Sequence, residues 1–226
     1  MRLAALISGG KDSIYATYLA SKEHEIAHAI SMVSENPASY MFHYPNIHLV
    51  KQQAALMGLP LVAKKTKGQK EKELDDLEDA IASLKGEIDG VVTGALASSY
   101  QKMRIDSICK RHGLLSIAPL WHRDPVEYLH AALHDNFEII IVGVAAPPLD
   151  AKWLGRKIDH QCIDDLIALN KKHGISTVGE GGEFESLVLD CPLFLKKIEV
   201  VKAETNWNEK ERSGTFDIKE IKLVDK

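Results

Sequence analysis

Six consecutive residues near the amino end combine two glycines with hydroxyl, amine and carboxylate side chains, in the order Ser8-Gly9-Gly10-Lys11-Asp12-Ser13. They follow the apolar run 3–7, which predicts a short buried strand, and they precede a helical pattern. Adjacent glycines let backbone N–H groups approach a ligand without a Cβ in the way. The start of the helix adds unpaired N–H groups and a partial positive charge, and Lys11 adds a full charge. The segment therefore predicts a loop that binds pyrophosphate.

Two better-known phosphate loops do not match this segment. A Walker A loop carries a glycine five positions before its Gly-Lys pair, and Ala5 stands at that position before Gly10. The dinucleotide fingerprint needs a third glycine in register, which this segment lacks. The remaining order, Ser-Gly-Gly-x-Asp-Ser, resembles the PP-loop of the N-type ATP pyrophosphatases. A glycine-rich turn without a ligand is the alternative.

The resemblance to the PP-loop implies an enzyme that cleaves ATP between the α and β phosphates and leaves AMP on a carboxylate or carbonyl oxygen. Residues 8–13 would then hold the β and γ phosphates, with the serine hydroxyls as donors and Lys11 as a catalytic charge. Asp12 either caps the helix or holds a magnesium ion, which would neutralise the leaving pyrophosphate.

A second group of polar residues follows the apolar run 90–94. Gly94 ends that run, and five polar side chains come after it: Ser98, Ser99, Tyr100, Gln101 and Arg104. Arg104 either binds phosphate with two parallel hydrogen bonds or forms an ion pair on a helix surface. Ser31 and Met32 close the second predicted strand, where mainly backbone groups are available to adenine or ribose.

The third group places three carboxylates beside paired glycines, in the order Glu180-Gly181-Gly182-Glu183-Phe184-Glu185-Ser186. If Phe184 points into the core, a strand period places Glu183 and Glu185 on the opposite face. This composition indicates a site for a cationic group or a magnesium anchor, with Glu183 and Glu185 as catalytic candidates. A surface turn with solvated charges is the alternative.

Apolar runs alternate with amphipathic stretches over the first half of the chain. Strands are predicted at 3–7, 26–33, 59–64, 90–94 and 114–119, and helices near 13–22, 46–57, 69–85 and 100–112. This alternation favours a parallel sheet covered by helices. Because ligands bind at the carboxyl ends of such strands, we expect the residues after the first, second and fourth strands to converge on one crevice.

The second half of the chain has a different pattern. Helices are predicted near 125–134 and 159–173, strands at 138–144 and 187–190, and two antiparallel strands at 197–201 and 215–223 around a polar turn at 206–214. We therefore predict two domains, an ATP-binding α/β domain at 1–122 and a smaller α+β substrate-binding domain at 123–226.

The composition excludes several classes of protein. A net charge of −4 over 226 residues argues against a general nucleic-acid binder, which needs a basic face. The chain has no apolar stretch of the roughly 20 residues that cross a bilayer, and its amino end does not resemble a signal peptide. Cys109, Cys162 and Cys191 are widely spaced, which indicates free thiols in a reducing compartment. These observations predict a cytoplasmic protein.

Matches along most of the chain resemble the diphthine–ammonia ligase family in its short, archaeal-like form. They comprise residues 8–13, 39–43 (which include His43), 94–104, 119–121, 153–156 and 179–186, with Asp190 and Pro192. Phe184 and Ser186 stand where the family often has Tyr and Thr. The resemblance implies a HUP-like (adenine nucleotide α-hydrolase-like) parallel sheet between helices, with a smaller α+β domain.

The implied reaction amidates diphthine, a modified histidine of translation elongation factor 2, with ATP, Mg²⁺ and free ammonia. Diphthine carries a quaternary ammonium group, for which Tyr100, Trp121, Trp153 and Phe184 offer aromatic faces and the three glutamates offer charges. Those glutamates could instead hold ammonium and accept its proton. A homo-oligomer is compatible with this reading. Two alternatives are a family member that amidates a small acid and a non-catalytic nucleotide-binding module.

Overall fold

The computed structural model describes residues 1–34, 45–67 and 72–226. These residues form two compact units, Met1–Trp121 and His122–Lys226. Within the described residues, no helix is both long enough and apolar enough to cross a membrane.

The amino-terminal unit is built around a five-stranded sheet in the order β3-β2-β1-β4-β5, with every pairing parallel. Its strands are β1 (Arg2–Leu6), β2 (Glu25–Ser34), β3 (Leu61–Thr66), β4 (Gly90–Val92) and β5 (Leu115–Ile117). Its helices are α1 (Lys11–Ser21), α2 (Val50–Leu56, preceded by a 3-10 turn at Ile47–Leu49), α3 (Lys72–Ala82) and α4 (Ser99–Arg111). This confirms the predicted helix-covered parallel sheet.

The middle of this sheet is apolar on both faces because helices cover both of them. Leu3, Ala4 and Ala5 of β1 have no exposed surface, although three consecutive strand residues must point to alternate faces. One side of the core joins β2 and β4 to α3 and α4 through Ile30, Leu77, Val91 and Ile108.

The carboxyl-terminal unit contains a four-stranded sheet in the order β7-β6-β9-β8, with antiparallel pairing. Its elements are α5 (Pro125–His134), β6 (Glu138–Val144), a 3-10 turn (Ala151–Trp153), α6 (His160–His173), β7 (Phe184–Asp190), β8 (Lys197–Asn208) and β9 (Ser213–Val224). Asp124 caps α5 and Asp159 caps α6 through side-chain oxygens that accept backbone N–H groups.

Several predicted boundaries in the chain were wrong by two or more residues. Helix α1 begins at Lys11, two residues earlier than predicted, because Gly10 serves as its N-cap. Strand β7 begins at Phe184 rather than Leu187. The predicted polar turn 206–214 is mostly strand, because Asn206 pairs with Thr215 and Trp207 with Gly214. Polar residues suit that part of the β8–β9 ribbon, where Thr205, Asn206 and Asn208 are exposed.

Candidate functional site

The segment 8–13 forms a tight loop that closes on itself before α1. Gly9 has a φ of 86°, a left-handed conformation that favours glycine. The Ser8 N–H donates to Ser13 Oγ over 3.1 Å, and Ser13 Oγ donates to the Gly10 carbonyl over 3.1 Å. The Ser13 hydroxyl therefore helps to shape the loop, and its contact with a phosphate stays a prediction.

Two neighbouring elements hold this loop in place. Gln53 of α2 has no exposed surface, and its Nε2 donates to the Gly9 carbonyl over 3.1 Å. Gly94, two residues beyond β4, lies directly against the first turn of α1. A Cβ added at Gly94 would lie 2.7 Å from the Asp12 carbonyl carbon and 2.7 Å from the Ser13 nitrogen. The segment after the fourth strand and the loop after the first therefore meet, as predicted.

Lys11 and Asp12 form an ion pair at the start of α1. The Lys11 Nζ is 2.9 Å from Asp12 Oδ2, and Lys11 is only 2% exposed. Asp12 lies in the first turn and does not cap the helix, because Gly10 is the N-cap. Its other oxygen, Oδ1, is buried and has no hydrogen-bond partner among the described residues.

The end of β2 extends past the end of β1. The last β1–β2 pair is Leu6 with Ile30, whereas β2 continues to Ser34 against β3. Ser31 and Met32 are 1% and 2% exposed, so their side chains face the core. Backbone groups of this stretch thus lie on the side of β2 where β1 has ended and the loop begins.

Two contacts at the start of α4 join residues of that helix and its N-cap. Ser98 is the N-cap, and its Oγ accepts the Gln101 N–H over 3.4 Å. The Arg104 guanidinium carbon lies 3.4 Å from the centroid of the Tyr100 ring. Arg104 is therefore stacked on an aromatic ring, an arrangement that neither of the two predicted roles anticipated. Ser99 is exposed at the first position of the helix.

The carboxylate segment 180–186 lies in the carboxyl-terminal unit, at the turn before β7. Glu183 Oε1 accepts the Ser176 N–H over 2.8 Å, and Glu183 Oε2 is buried without a hydrogen-bond partner within the described residues. Gly181 lies against this carboxylate, since a Cβ added there would be 2.7 Å from Oε1. The paired glycines therefore allow Glu183 to fold back over its own turn.

The three other key positions of this segment differ in exposure. Glu180 is exposed, and its N–H donates to Ser176 Oγ over 3.2 Å. Phe184 is 2% exposed and pairs with Val144, which confirms that its ring points into the core. Glu185 is half-buried and pairs with Gly143 of β6.

The predicted aromatic faces are not equally available to a cationic substrate. Phe184 is buried in the core, so its ring does not offer a face to the quaternary ammonium group, contrary to the prediction. Trp153 is 9% exposed, and the Arg156 guanidinium lies 4.4 Å from its ring centroid. The Lys102 ammonium lies 5.5 Å from the centroid of the Trp121 ring.

None of the three cysteines is placed to act as a nucleophile. All three are free and buried. Burial raises the pKa of Cys109 and of Cys162 to about 11, and that of Cys191 to about 12. The reactive thiolate is therefore scarce at neutral pH.

Two positions that hold these segments in place were not predicted from the sequence. Gln53 interrupts the apolar face of α2 beside Val50 and Ala54, which is a signal that the sequence did contain. Ser176 carried no such signal, because its role depends on a contact with Glu183 across a turn. His43, and with it the match at 39–43, lies outside the described residues.

Comparison with known proteins gives one consistent result over both halves of the chain. A family model described as the diphthamide synthase N-terminal domain matches residues 1–116, and one described as the diphthamide synthase C-terminal domain matches residues 124–224. The diphthine–ammonia ligases of Bos taurus and Homo sapiens are each 38% identical in an alignment that covers 90% of this chain and 84% of theirs.

One solved structure is also similar, although weakly. It is described as a predicted subunit of tRNA methyltransferase from Methanocaldococcus jannaschii, with 18% identity and a TM-score of 0.42 over 85% of this chain and 98% of that chain.

Proposed function

This chain belongs to the diphthamide synthase family, and from that premise we propose the residues and steps by which it acts. It is an enzyme that joins ammonia to diphthine on a protein, forming the amide of diphthamide. The single observation that carries this function is the match of both family domains along nearly the whole chain.

The reaction requires activation of a carboxylate by ATP. A carboxylate is a poor electrophile because its leaving group would be oxide. Transfer of AMP to the carboxylate oxygen releases pyrophosphate and gives an acyl adenylate, from which ammonia then displaces AMP. Splitting one difficult step into two easier steps is the usual purpose of such an intermediate.

The loop 8–13 binds the β and γ phosphates of ATP in this proposal. The support is local: Gly9 takes a left-handed conformation, Gly10 is the N-cap of α1, and Gln53 and Gly94 hold the turn. The helix start offers N–H groups and a partial positive charge to the anion. Lys11 supplies a full charge at the same point.

The adenosine part of ATP binds along the end of β2. Strand β2 continues from Ser31 to Ser34 after β1 has ended. Since the side chains of Ser31 and Met32 are buried, recognition there depends on backbone groups. The start of α4 adds Ser98, Ser99, Tyr100, Gln101 and Arg104 to the crevice beyond Gly94.

Asp12 fits a magnesium ion. Its Oδ1 is buried without a hydrogen-bond partner among the described residues, which leaves one carboxylate oxygen for a cation. Magnesium in nucleotide sites is commonly bound through one or two carboxylates and the substrate phosphates. The described residues contain no cluster of three or more His, Cys, Asp or Glu side chains that would hold a metal by themselves. When bound, the ion would neutralise charge on the pyrophosphate.

The segment 180–186 receives ammonium and the acceptor. Glu183 is the best oriented of its carboxylates, because Ser176 fixes Oε1 while Oε2 has no hydrogen-bond partner among the described residues. A carboxylate held in this way can accept the proton that ammonium loses as it becomes a nucleophile. Glu185 and the exposed Glu180 supply further negative charge. Residues 1–122 thus bind ATP, and residues 123–226 supply the carboxylates that serve ammonium and the carboxyl group of diphthine.

The acceptor protein is translation elongation factor 2 bearing diphthine, and the nitrogen donor is free ammonia. A glutamine-dependent enzyme would need a reactive cysteine, whereas burial raises the pKa of all three thiols to about 11 or 12. The enzyme acts in the cytoplasm, where elongation factor 2 is found, and association into a homo-oligomer is part of the proposal.

The decisive experiment incubates the protein with diphthine-bearing elongation factor 2, ATP, magnesium and ammonium, and then measures the intact mass of the acceptor. We expect a hydroxyl to be replaced by an amino group, with AMP and pyrophosphate as products. An unchanged acceptor would favour amidation of a small acid, which the shared description of the relatives does not favour. Formation of ADP would exclude the proposed chemistry, and nucleotide binding without turnover would indicate a non-catalytic module.

A further inference from the structure

Lys102, Asp106 and Trp121 form a cluster in which a cation lies between an aromatic ring and a carboxylate. The Lys102 Nζ is 5.5 Å from the centroid of the Trp121 ring and 2.5 Å from Asp106 Oδ2. An aromatic face with a nearby negative charge is the combination that recognises quaternary ammonium groups. The cluster therefore already binds a cation, although one that belongs to the protein itself.

The contacts of the other aromatic candidates make them less suitable for a substrate cation. Phe184 is buried, Trp153 is 9% exposed beneath the Arg156 guanidinium, and the Arg104 guanidinium stacks only 3.4 Å from the Tyr100 ring centroid. The Lys102 ammonium lies 2.1 Å farther from the centroid of the Trp121 ring than the Arg104 guanidinium carbon lies from that of Tyr100. It also belongs to a flexible four-carbon side chain that is 23% exposed, so it can swing away.

The position of the cluster fits the substrate. Helix α4 begins after β4, and Trp121 follows the end of β5 by four residues, so the cluster lies at the carboxyl edge of the parallel sheet. The phosphate loop follows β1 at the same edge. Strand β5 is two strands away from β1, a distance of about 10 Å at the usual spacing. Diphthine carries its quaternary ammonium group on the same side chain as the carboxylate that receives AMP.

We infer that Trp121 and Asp106 bind the quaternary ammonium group of diphthine and that Lys102 is an internal cation which the substrate displaces. This inference rests on the proposed function, since it assigns the recognition of the acceptor. A simple surface pair between Lys102 and Asp106 would make a different prediction, because its removal would have little effect on any ligand.

Tetramethylammonium chloride is the probe for this site, used as an inhibitor of amidation with total chloride held constant. We expect it to raise the apparent KM for the diphthine-bearing protein without lowering kcat. Lys102→Met should lower its inhibition constant about fivefold, because the competing cation is gone. Asp106→Asn and Trp121→Leu should each raise that constant about fivefold or more, while Trp121→Phe keeps an aromatic face and stays close to wild type.

Two controls and a direct measurement make the outcome unambiguous. Lys110→Met removes one charge from an exposed position of the same helix and should leave the inhibition constant unchanged. The neutral molecule tert-butanol should not compete. Equal inhibition constants for Lys102→Met and Lys110→Met, or competition by tert-butanol, would overturn the inference. Calorimetric titration of tetramethylammonium into the same variants needs no turnover, so a shifted affinity in a protein that fails to amidate diphthine would remove the proposed function and retain the cation site.

Discussion

Gly94 lies in direct contact with the peptide that joins Asp12 to Ser13, although Gly94 and Ser13 are 81 positions apart in the chain. A Cβ at Gly94 would lie 2.7 Å from both atoms of that peptide bond. Real Cβ atoms do not approach backbone this closely, so any side chain at this position must displace the first turn of α1. The geometry of the loop 8–13 therefore depends on the absence of a side chain at Gly94, which lies in the connection that follows β4.

Gly94→Ala should weaken ATP binding at least tenfold, because the displaced helix start no longer aligns its N–H groups with the phosphates, and overpacking should cost about 1–3 kcal/mol of stability. Calorimetric titration with ATP and thermal unfolding measure the two effects. Gly90→Ala is the control, because Gly90 lies at the start of β4, away from the loop 8–13. A Cβ at Gly90 would lie equally close to backbone, 2.7 Å from the Leu115 carbonyl oxygen. The Gly90→Ala variant should lose stability but keep its ATP affinity. Equal ATP affinity in both variants would contradict this view.

Gly10→Val should abolish nucleotide binding while leaving the protein folded. Gly10 is the N-cap of α1, with φ −78° and ψ 165°, an extended conformation that valine also adopts. The expected loss is thus steric, because the branched side chain occupies the space of a phosphate. ATP affinity measured by calorimetry, with circular dichroism as the check of folding, tests this expectation. An unaltered affinity would count strongly against the loop as the phosphate site.

Glu183→Gln should spare ATP binding and reduce kcat about 100-fold or more, as expected for loss of a general base. Glutamine can still accept the Ser176 N–H through its amide oxygen, so the turn at 176–183 should persist. Glu209→Gln is the matched control at an exposed position outside this segment and should keep the activity. Full activity of Glu183→Gln would show that its carboxylate serves only to shape the turn.

The ion pair between Glu78 and Arg111 should make a pH-dependent contribution to the free energy of unfolding. The Arg111 guanidinium, followed by His112, lowers the pKa of Glu78 from 4.5 to about 2. A lowered pKa in the folded state means that the stabilisation is complete above pH 4.5 and is lost as the pH falls towards 2. Glu78→Gln should therefore cost at most about 1 kcal/mol at pH 7, because the pair is partly exposed. Thermal unfolding measured from pH 7 to pH 2.5 should show that the stability difference between the wild type and Glu78→Gln shrinks below pH 4.5. The Arg111→Gln variant should show the same pH dependence.

Alkylation should not inactivate the folded enzyme. Burial raises the pKa of the three thiols to about 11 or 12, so iodoacetamide at pH 7.5 should leave both activity and mass unchanged. After unfolding in urea, the intact mass should rise by three alkyl groups. Rapid inactivation of the folded protein, or amidation supported by glutamine in place of ammonium, would require a reactive cysteine and overturn the assignment of ammonia as donor.

The class of the fold was readable from the sequence because it depends on local periodicity. Short apolar runs between amphipathic stretches specify parallel strands and covering helices, and the structure confirms them from β1 to β5. Element ends were less predictable. The extension of β8 to Asn208 depends on pairing with β9 across the turn, a contact that no local pattern reveals.

Some features of the candidate site were likewise readable from the sequence, and others depend on contacts that form only in the folded chain. The amino-acid sequence by itself determined the tight loop at 8–13 before α1, since two adjacent glycines before a helix have a conformational meaning without any tertiary context. Only the tertiary structure decided that Gly94 must lack a side chain, that Ser176 orients Glu183, and that the Phe184 ring is buried while the Trp121 ring lies near the Lys102 ammonium. These three relationships depend on distances between residues far apart or across a turn, and burial and packing exist only once the chain is folded.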